Sequence, residues 1–152
     1  MNSTIRVLIE NEAGTSTKNT FDEKTLQLIG SATVSRPYPY PYGFVINSRG
    51  DDGDAVDCFV AAQHRLAAGE IASCYPRALL EQIEDGGIDH KIIATLNPTD
   101  PIPDNIRDTI AEFAQSVFAH IPGKRMQIGQ LLGQEEAIVY LSSRMTDDDP
   151  RP

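Results

Sequence analysis

Between residues 51 and 57 the chain reads Asp51-Asp52-Gly53-Asp54-Ala55-Val56-Asp57, four carboxylates in one short segment with a glycine among them. Unit charges about 4 Å apart repel by about 1 kcal/mol in water and about 4 kcal/mol at an effective dielectric near 20. A fold tolerates such crowding if the loop is an acidic, fully solvated turn or if a cation sits among the oxygens. Val56, Phe59 and Val60 favour the second, because apolar residues directly behind the loop tie it to a buried strand. Oxygen donors of this kind suit Mg²⁺, Mn²⁺ or Ca²⁺. The spacing excludes an EF-hand, which needs Gly at its sixth loop position and Glu at its twelfth. Counted from Asp52, those positions hold Asp57 and Gln63.

A net charge of −9 argues against non-specific nucleic-acid binding, which depends on basic surface to displace counterions. No apolar run reaches the roughly eighteen residues of a membrane span, and Met1-Asn2-Ser3-Thr4-Ile5-Arg6 lacks a signal-peptide core. We therefore expect a cytoplasmic protein with no membrane partner, in which Cys58 and Cys74 are buried reduced thiols. With 152 residues, 40% of them hydrophobic, the chain suits one domain over 1–145 and a flexible acidic tail over 146–152.

Strand-length stretches recur at Ile5 to Ile9, Leu26 to Ile29, Phe44 to Ile46, Val56 to Ala61, Ile71 to Leu80 and Lys91 to Leu96, punctuated by turn residues. That density predicts a twisted antiparallel sheet closed into a small barrel. The period then changes. Ile106, Ile110, Phe113, Ala114, Val117 and Ile121 share a helical face between Pro103 and Pro122-Gly123. A strand at 125–131 and a second helix from Gln134 to Arg144 complete an α+β, mainly β architecture: a barrel with two packed helices.

Upstream of the acidic loop, Arg36-Pro37-Tyr38-Pro39-Tyr40-Pro41-Tyr42-Gly43 is held extended by its prolines. Such a strip suits a polyproline-type ligand or the wall of a site, and its nearness to the Asp loop favours the wall. Tyr40 and His90 are expected to be structural or outward-facing.

Tyr38-Pro39, then Tyr42-Gly43, followed by Asp52-Gly53-Asp54-Ala55-Val56-Asp57, resembles the signature of the family I soluble inorganic pyrophosphatases. Glu84-Asp85-Gly86-Gly87-Ile88-Asp89-His90-Lys91 is similar to that family's second acidic hairpin, and Glu10 and Lys18 continue the match. The resemblance covers about residues 5 to 145. It implies an OB-like five-stranded β-barrel, Mg²⁺ (with Mn²⁺ or another divalent ion possible), a small-molecule phosphate substrate, and a homo-oligomer, a hexamer for short bacterial chains. By position it implies that Asp52, Asp57 and Asp89 hold two metals sharing a water, with Glu84 on a further metal. Glu10 would assist through metal-bound water and Asp54 would act as the base. Lys18, Lys91 and Tyr42 would grip phosphate, with Lys91 and Tyr42 also serving catalysis.

The chain also departs from the family pattern. An Arg ahead of the Tyr-Pro motif is replaced by Gly30, a Glu by Thr20, a Tyr-Lys pair by Val117-Phe118, and the hairpin's opening Asp by Glu84 unless Asp85 shifts into its place. Charge-assisted hydrogen bonds contribute about 1.5–3 kcal/mol each, so two lost cationic grips amount to about two to four decades of affinity. Arg36, Arg49, Lys124 and Arg125 are the candidates to replace them. The expected activity is Mg²⁺-dependent hydrolysis of pyrophosphate to two phosphates. The alternatives are a divergent hydrolase of another phosphoanhydride or a phosphonate, and a non-catalytic metal- or phosphate-binding homologue.

Overall fold

The computed structural model describes residues 4–62, 64–119 and 121–146. Its elements in chain order are β1 (Ile5–Asn11), β2 (Thr17–Phe21), β3 (Leu28–Thr33), β4 (Tyr42–Val45), β5 (Asp57–Val60), β6 (Ile71–Glu84), β7 (Gly87–Ile88), β8 (Lys91–Thr95), α1 (Ile106–Phe118), β9 (Met126–Leu132) and α2 (Gln134–Ser142). Pairing runs β1-β4-β5-β8-β6 and returns from β6 to β1, so five strands close into a ring. Closure removes the free edges that an open sheet of this size would expose. The mainly β fold with two helices expected from the sequence is the fold observed.

One pairing departs from the expected antiparallel pattern. β5 and β8 are parallel, with Cys58 opposite Ile92 and Val60 opposite Ala94. Parallel neighbours begin at the same end of the sheet, so Asp57 at the start of β5 and Lys91 at the start of β8 become neighbours. The site owes its position to this pairing. Strand alternation sorts the remaining side chains. Val7, Ile9, Val45, Cys58, Val60, Cys74, Ile92 and Ala94 fill one face of the ring, joined by Ala137 and Leu141 of α2. On the other face, Phe59, Leu80 and Ile93 pack beneath Ile106 and Ile110 of α1. Both cysteines are buried and free, as expected.

β2 and β3 form a separate hairpin, with β3 exposed throughout. The expected strand at Leu26 begins two residues later, because Leu26 adopts φ +61° in the intervening turn. β2 and β7 were not foreseen: both are short, and neither carries a buried apolar face. α1 is shorter at each end than the span from Pro103 to Ile121 that the sequence suggested. It begins after Asn105, and Ile121 lies beyond it at 46% exposure. The acidic tail falls outside the described residues except Thr146, whose N–H donates to the Asn47 carbonyl at 2.7 Å.

Gly43 is the glycine on which the ring most depends. A Cβ built there would lie 1.7 Å from the carbonyl oxygen of Leu8, a backbone atom with no freedom to retreat. Across this contact the register shifts between Ile9, which faces Gly43, and Asn11, which faces Tyr42. Glu10 is the extra residue of the resulting bulge, a device that re-aims side chains beside sites.

Candidate active site

A cavity of about 300 Å³ opens between the ring and α1. Its floor carries Asp52, Asp54 and Asp57 from the acidic loop and the head of β5. Glu84, Asp89 and Lys91 come from the second hairpin, and Tyr42 from β4. Lys18 reaches in from β2 and Lys124 from the turn after α1, while Ile110, Phe113, Ala114 and Val117 of α1 form an apolar wall. Of the residues singled out in the sequence, Asp52, Asp54, Asp57, Glu84, Asp89, Lys91, Tyr42 and Lys18 are therefore brought together.

Lys91 is the electrostatic centre. It is 5% exposed, and its ammonium donates to Asp57 Oδ2 at 2.5 Å and to Asp89 Oδ2 at 3.0 Å. Burial opposes its charge, yet the two carboxylates more than offset this and push its pKa up. Asp89 shows the converse. Burial raises its pKa to about 7, and Asp57 and a hydrogen bond with Glu84 add to the rise against the lowering effect of Lys91. Glu84 is held below the usual range: burial works against its charge, but hydrogen bonds from Lys124 and Asp89 prevail. Burial and this contact thus favour the protonated form of Asp89 beside a charged Glu84. Tyr42 sits with Lys91 Nζ 5.9 Å from its ring centre, and burial with the nearby Asp57 charge keeps its phenol protonated.

Two acids stand behind this floor. Glu10 is not among the cavity-lining residues; its carboxylate accepts the Phe21 N–H at 3.1 Å, and burial raises its pKa to about 7. Glu23, unmarked in the sequence, accepts the Ala55 N–H at 3.0 Å; burial and the charges of Asp54, Asp57 and Asp52 raise its pKa. Nothing local in Asp22-Glu23-Lys24 announces that contact, which depends on the turn folding back over the acidic loop.

Among the described residues, no three carboxylate, imidazole or thiol groups close around a common point as a preformed metal cage. The donor chemistry nevertheless fits a hard divalent cation. Oxygen ligands predominate, and the excess negative charge is held in check by the Lys91 ammonium and by the burial that raises the pKa of Asp89. These are stand-ins that a divalent ion could relieve.

Four basic residues were candidates for the missing phosphate grips. Lys124 lines the cavity and pairs with Glu84 at 2.5 Å. Arg36 pairs instead with Glu112 at the exposed surface. Neither Arg49 nor Arg125 is a lining residue, and the Arg125 N–H donates to Asp85. That contact also resolves the choice in the second hairpin. Asp85, at φ +51°, turns outward, and Glu84 is the acid that faces the cavity. Tyr38 lines the cavity beside Tyr42, with ring centres 5.5 Å apart, so the Tyr strip forms a wall. His90 is structural: its Nδ1 accepts the Gln82 N–H at 3.1 Å. Val117 stands on the apolar wall; the side chain of Phe118 lies outside the described residues.

The family model for inorganic pyrophosphatase matches residues 7–144. An inorganic pyrophosphatase of Aquifex pyrophilus is 33% identical, over 88% of this chain and 83% of that protein. One from Nanoarchaeum equitans is 29% identical, over 88% and 90%. Among solved structures, the inorganic pyrophosphatase of Helicobacter pylori superposes with a TM-score of 0.83 at 26% identity, covering 94% of each chain. With a match across nearly the whole ring and an acid-lined cavity between the ring and α1, the chain belongs to the inorganic pyrophosphatase family.

Proposed function

We propose that this cavity hydrolyses inorganic pyrophosphate to two phosphates with Mg²⁺. The observation that carries the reading is the convergence of Asp52, Asp54, Asp57, Glu84 and Asp89 with Lys18, Lys91 and Lys124 in one cavity of a pyrophosphatase-family chain. Asp52, Asp57, Asp89 and Glu84 would hold the metal, with Glu10 acting from behind them. When bound, the ion screens phosphate charge and lowers the pKa of water toward neutrality.

The chain's own residues supply the rest. Asp54 accepts a proton from the attacking water as its oxygen bonds to phosphorus. The bridging P–O bond breaks, and its electron pair leaves with the departing phosphate. Lys18 and Lys124, both lining the cavity, neutralise phosphate oxygens. Lys91 holds Asp57 and Asp89 in place and presents positive charge to the substrate. Tyr42 offers a hydrogen bond without adding charge. The test is phosphate release from pyrophosphate with Mg²⁺ or EDTA, for wild type and Asp54→Asn. Mg²⁺-dependent turnover that falls by orders of magnitude in the variant supports the assignment, whereas equal rates remove Asp54 from its role.

A second reading rests on the apolar wall of Ile110, Phe113, Ala114 and Val117. A fully ionic substrate gains nothing from such a surface, so a phosphoanhydride or phosphonate with an apolar substituent is the alternative. A substrate panel in which pyrophosphate has the highest kcat/KM rejects it, and no turnover of any member favours a binding protein.

Cytoplasmic location and assembly as a homohexamer, with one domain spanning 1–145, complete the proposal. Leu28 and Ile29 of β3 are 55% and 66% exposed, which supports association. Light scattering on purified protein measures the assembly. Among the described residues no helix is long and apolar enough to cross a membrane.

A further inference from the structure

The acidic loop is gripped from outside the cavity by the end of α2. Arg144 Nε donates to Asp51 Oδ1 at 2.8 Å, and Nη2 lies 2.5 Å from the same oxygen. The Tyr140 hydroxyl donates to that oxygen as well, at 3.3 Å, and the Arg144 guanidinium lies 4.5 Å from the Tyr140 ring centre. An isolated exposed ion pair would contribute little. This one is braced by backbone: the Arg49 N–H donates to the Arg144 carbonyl at 2.8 Å, and Ser48 bridges to Met145.

Asp51 adjoins Asp52 in a loop that is internally tied. Gly50 N–H donates to the Asp54 carbonyl at 2.7 Å, and the Asp54 N–H donates to Asp52 Oδ1 at 3.0 Å. These bonds couple the backbone on either side of Asp51 to Asp52 and Asp54. Tyr140 also touches the second acidic segment, its ring centre 5.6 Å from that of His90, between Asp89 and Lys91. One helix end thus contacts both segments that supply carboxylates to the cavity.

We propose that Arg144 is a positioning residue. By holding Asp51 against Tyr140 it fixes the aim of Asp52 and Asp54 and the spacing between the acidic loop and the second hairpin. The inference rests on the assignment of Asp52 to metal and Asp54 to the base. It places a determinant of metal affinity outside the cavity, on residues that touch neither substrate nor ion.

The test compares wild type with Arg144→Met, Arg144→Lys, Asp51→Asn, the Arg144→Met/Asp51→Asn double variant and Tyr140→Phe, the last a milder change in case the first fails to fold. Mg²⁺ affinity is read by calorimetry, kcat and KM by phosphate release, and melting temperature in EDTA reports the metal-free fold. Partners that orient ligating groups typically change metal affinity or activity by about 10–100-fold, so Arg144→Met is expected to weaken Mg²⁺ about tenfold and lower kcat. Lysine should restore part of the loss, and Arg144→Met/Asp51→Asn should be no worse than its more damaging single change. A lower melting temperature in EDTA with unchanged Mg²⁺ affinity and kcat makes Arg144 a plain structural anchor and overturns the proposal while leaving the function intact. A wild type that does not bind Mg²⁺ overturns both.

Discussion

Removing the buried ammonium of Lys91 should expose the charge problem that the cavity is built around. Lys91→Met keeps most of the side chain's apolar stem and deletes the donor that meets Asp57 at 2.5 Å and Asp89 at 3.0 Å. Breaking a buried ion pair at one partner costs about 3–5 kcal/mol, because the other charge is left uncompensated. The loss should depend on pH with a definite sign. Asp89 has a folded pKa of about 7 against an ordinary value of 3.8, and removing Lys91 takes away a lowering influence and raises it further. Below about pH 5 Asp89 is protonated and misses its partner little, so the share of the penalty that it carries is small. As pH rises through 7 and beyond, the penalty grows to its full size. Urea unfolding in EDTA at pH 5 and pH 8 measures it. Saturating Mg²⁺ should stabilise the variant more than the wild type at pH 8; at a hundredfold excess over Kd the linkage contributes about 2.7 kcal/mol. An equal loss at both pH values, or a loss below about 1 kcal/mol at pH 8, would refute the reasoning, since buried unpaired carboxylates cost several times that.

Gly43→Ala forces a Cβ to within 1.7 Å of the Leu8 carbonyl oxygen, so β1 and β4 must separate; we expect loss of at least about 3 kcal/mol or failure to fold, and a melting temperature within a few degrees of wild type would show that the strands can slide. Gly30→Arg adds charge where nothing lies within 4 Å of a new Cβ, opposite Thr20 and on the face that carries Lys18. Its guanidinium should lower KM for pyrophosphate about tenfold or more, as one charge-assisted hydrogen bond implies; an unchanged KM would mean that this face does not meet substrate. Glu10 is raised from 4.5 to about 7 by burial, so the folded state holds a proton that the unfolded chain releases. That contribution is full below about pH 4.5 and is lost as pH rises through 7, up to about 3 kcal/mol. Urea midpoints in EDTA should fall across that window for wild type and less steeply for Glu10→Gln, and parallel profiles would contradict it.

The site was more legible in the sequence than the frame that holds it. Asp52, Asp54, Asp57 and Lys91 stand in short motifs that resemble a family signature, and the cavity gathers them. β2 and β3 were harder to read because their residues are largely exposed and carry no apolar period; hydrogen bonds from Asn19 to Asn11 and Glu10 attach this hairpin to the bulge. The parallel β5–β8 pairing was invisible for another reason: local patterning sets which face is buried, not which neighbour a strand selects. Lys124 stood among four candidates, and only the turn after α1 separates it from the others. Arg144 and Glu23 reach the acidic loop across long stretches of sequence, and no motif encodes contacts of that kind.

The central claim is that the acidic loop and the second hairpin bind divalent metal beside a phosphate subsite. Crystals soaked with Mn²⁺ and phosphate, with data collected at the manganese absorption edge, test it most directly. We predict anomalous peaks at coordination distance from Asp52, Asp57 and Asp89, with phosphate density against Lys18 and Lys124. Ordered carboxylates with no anomalous peak among them at saturating Mn²⁺ would contradict the account.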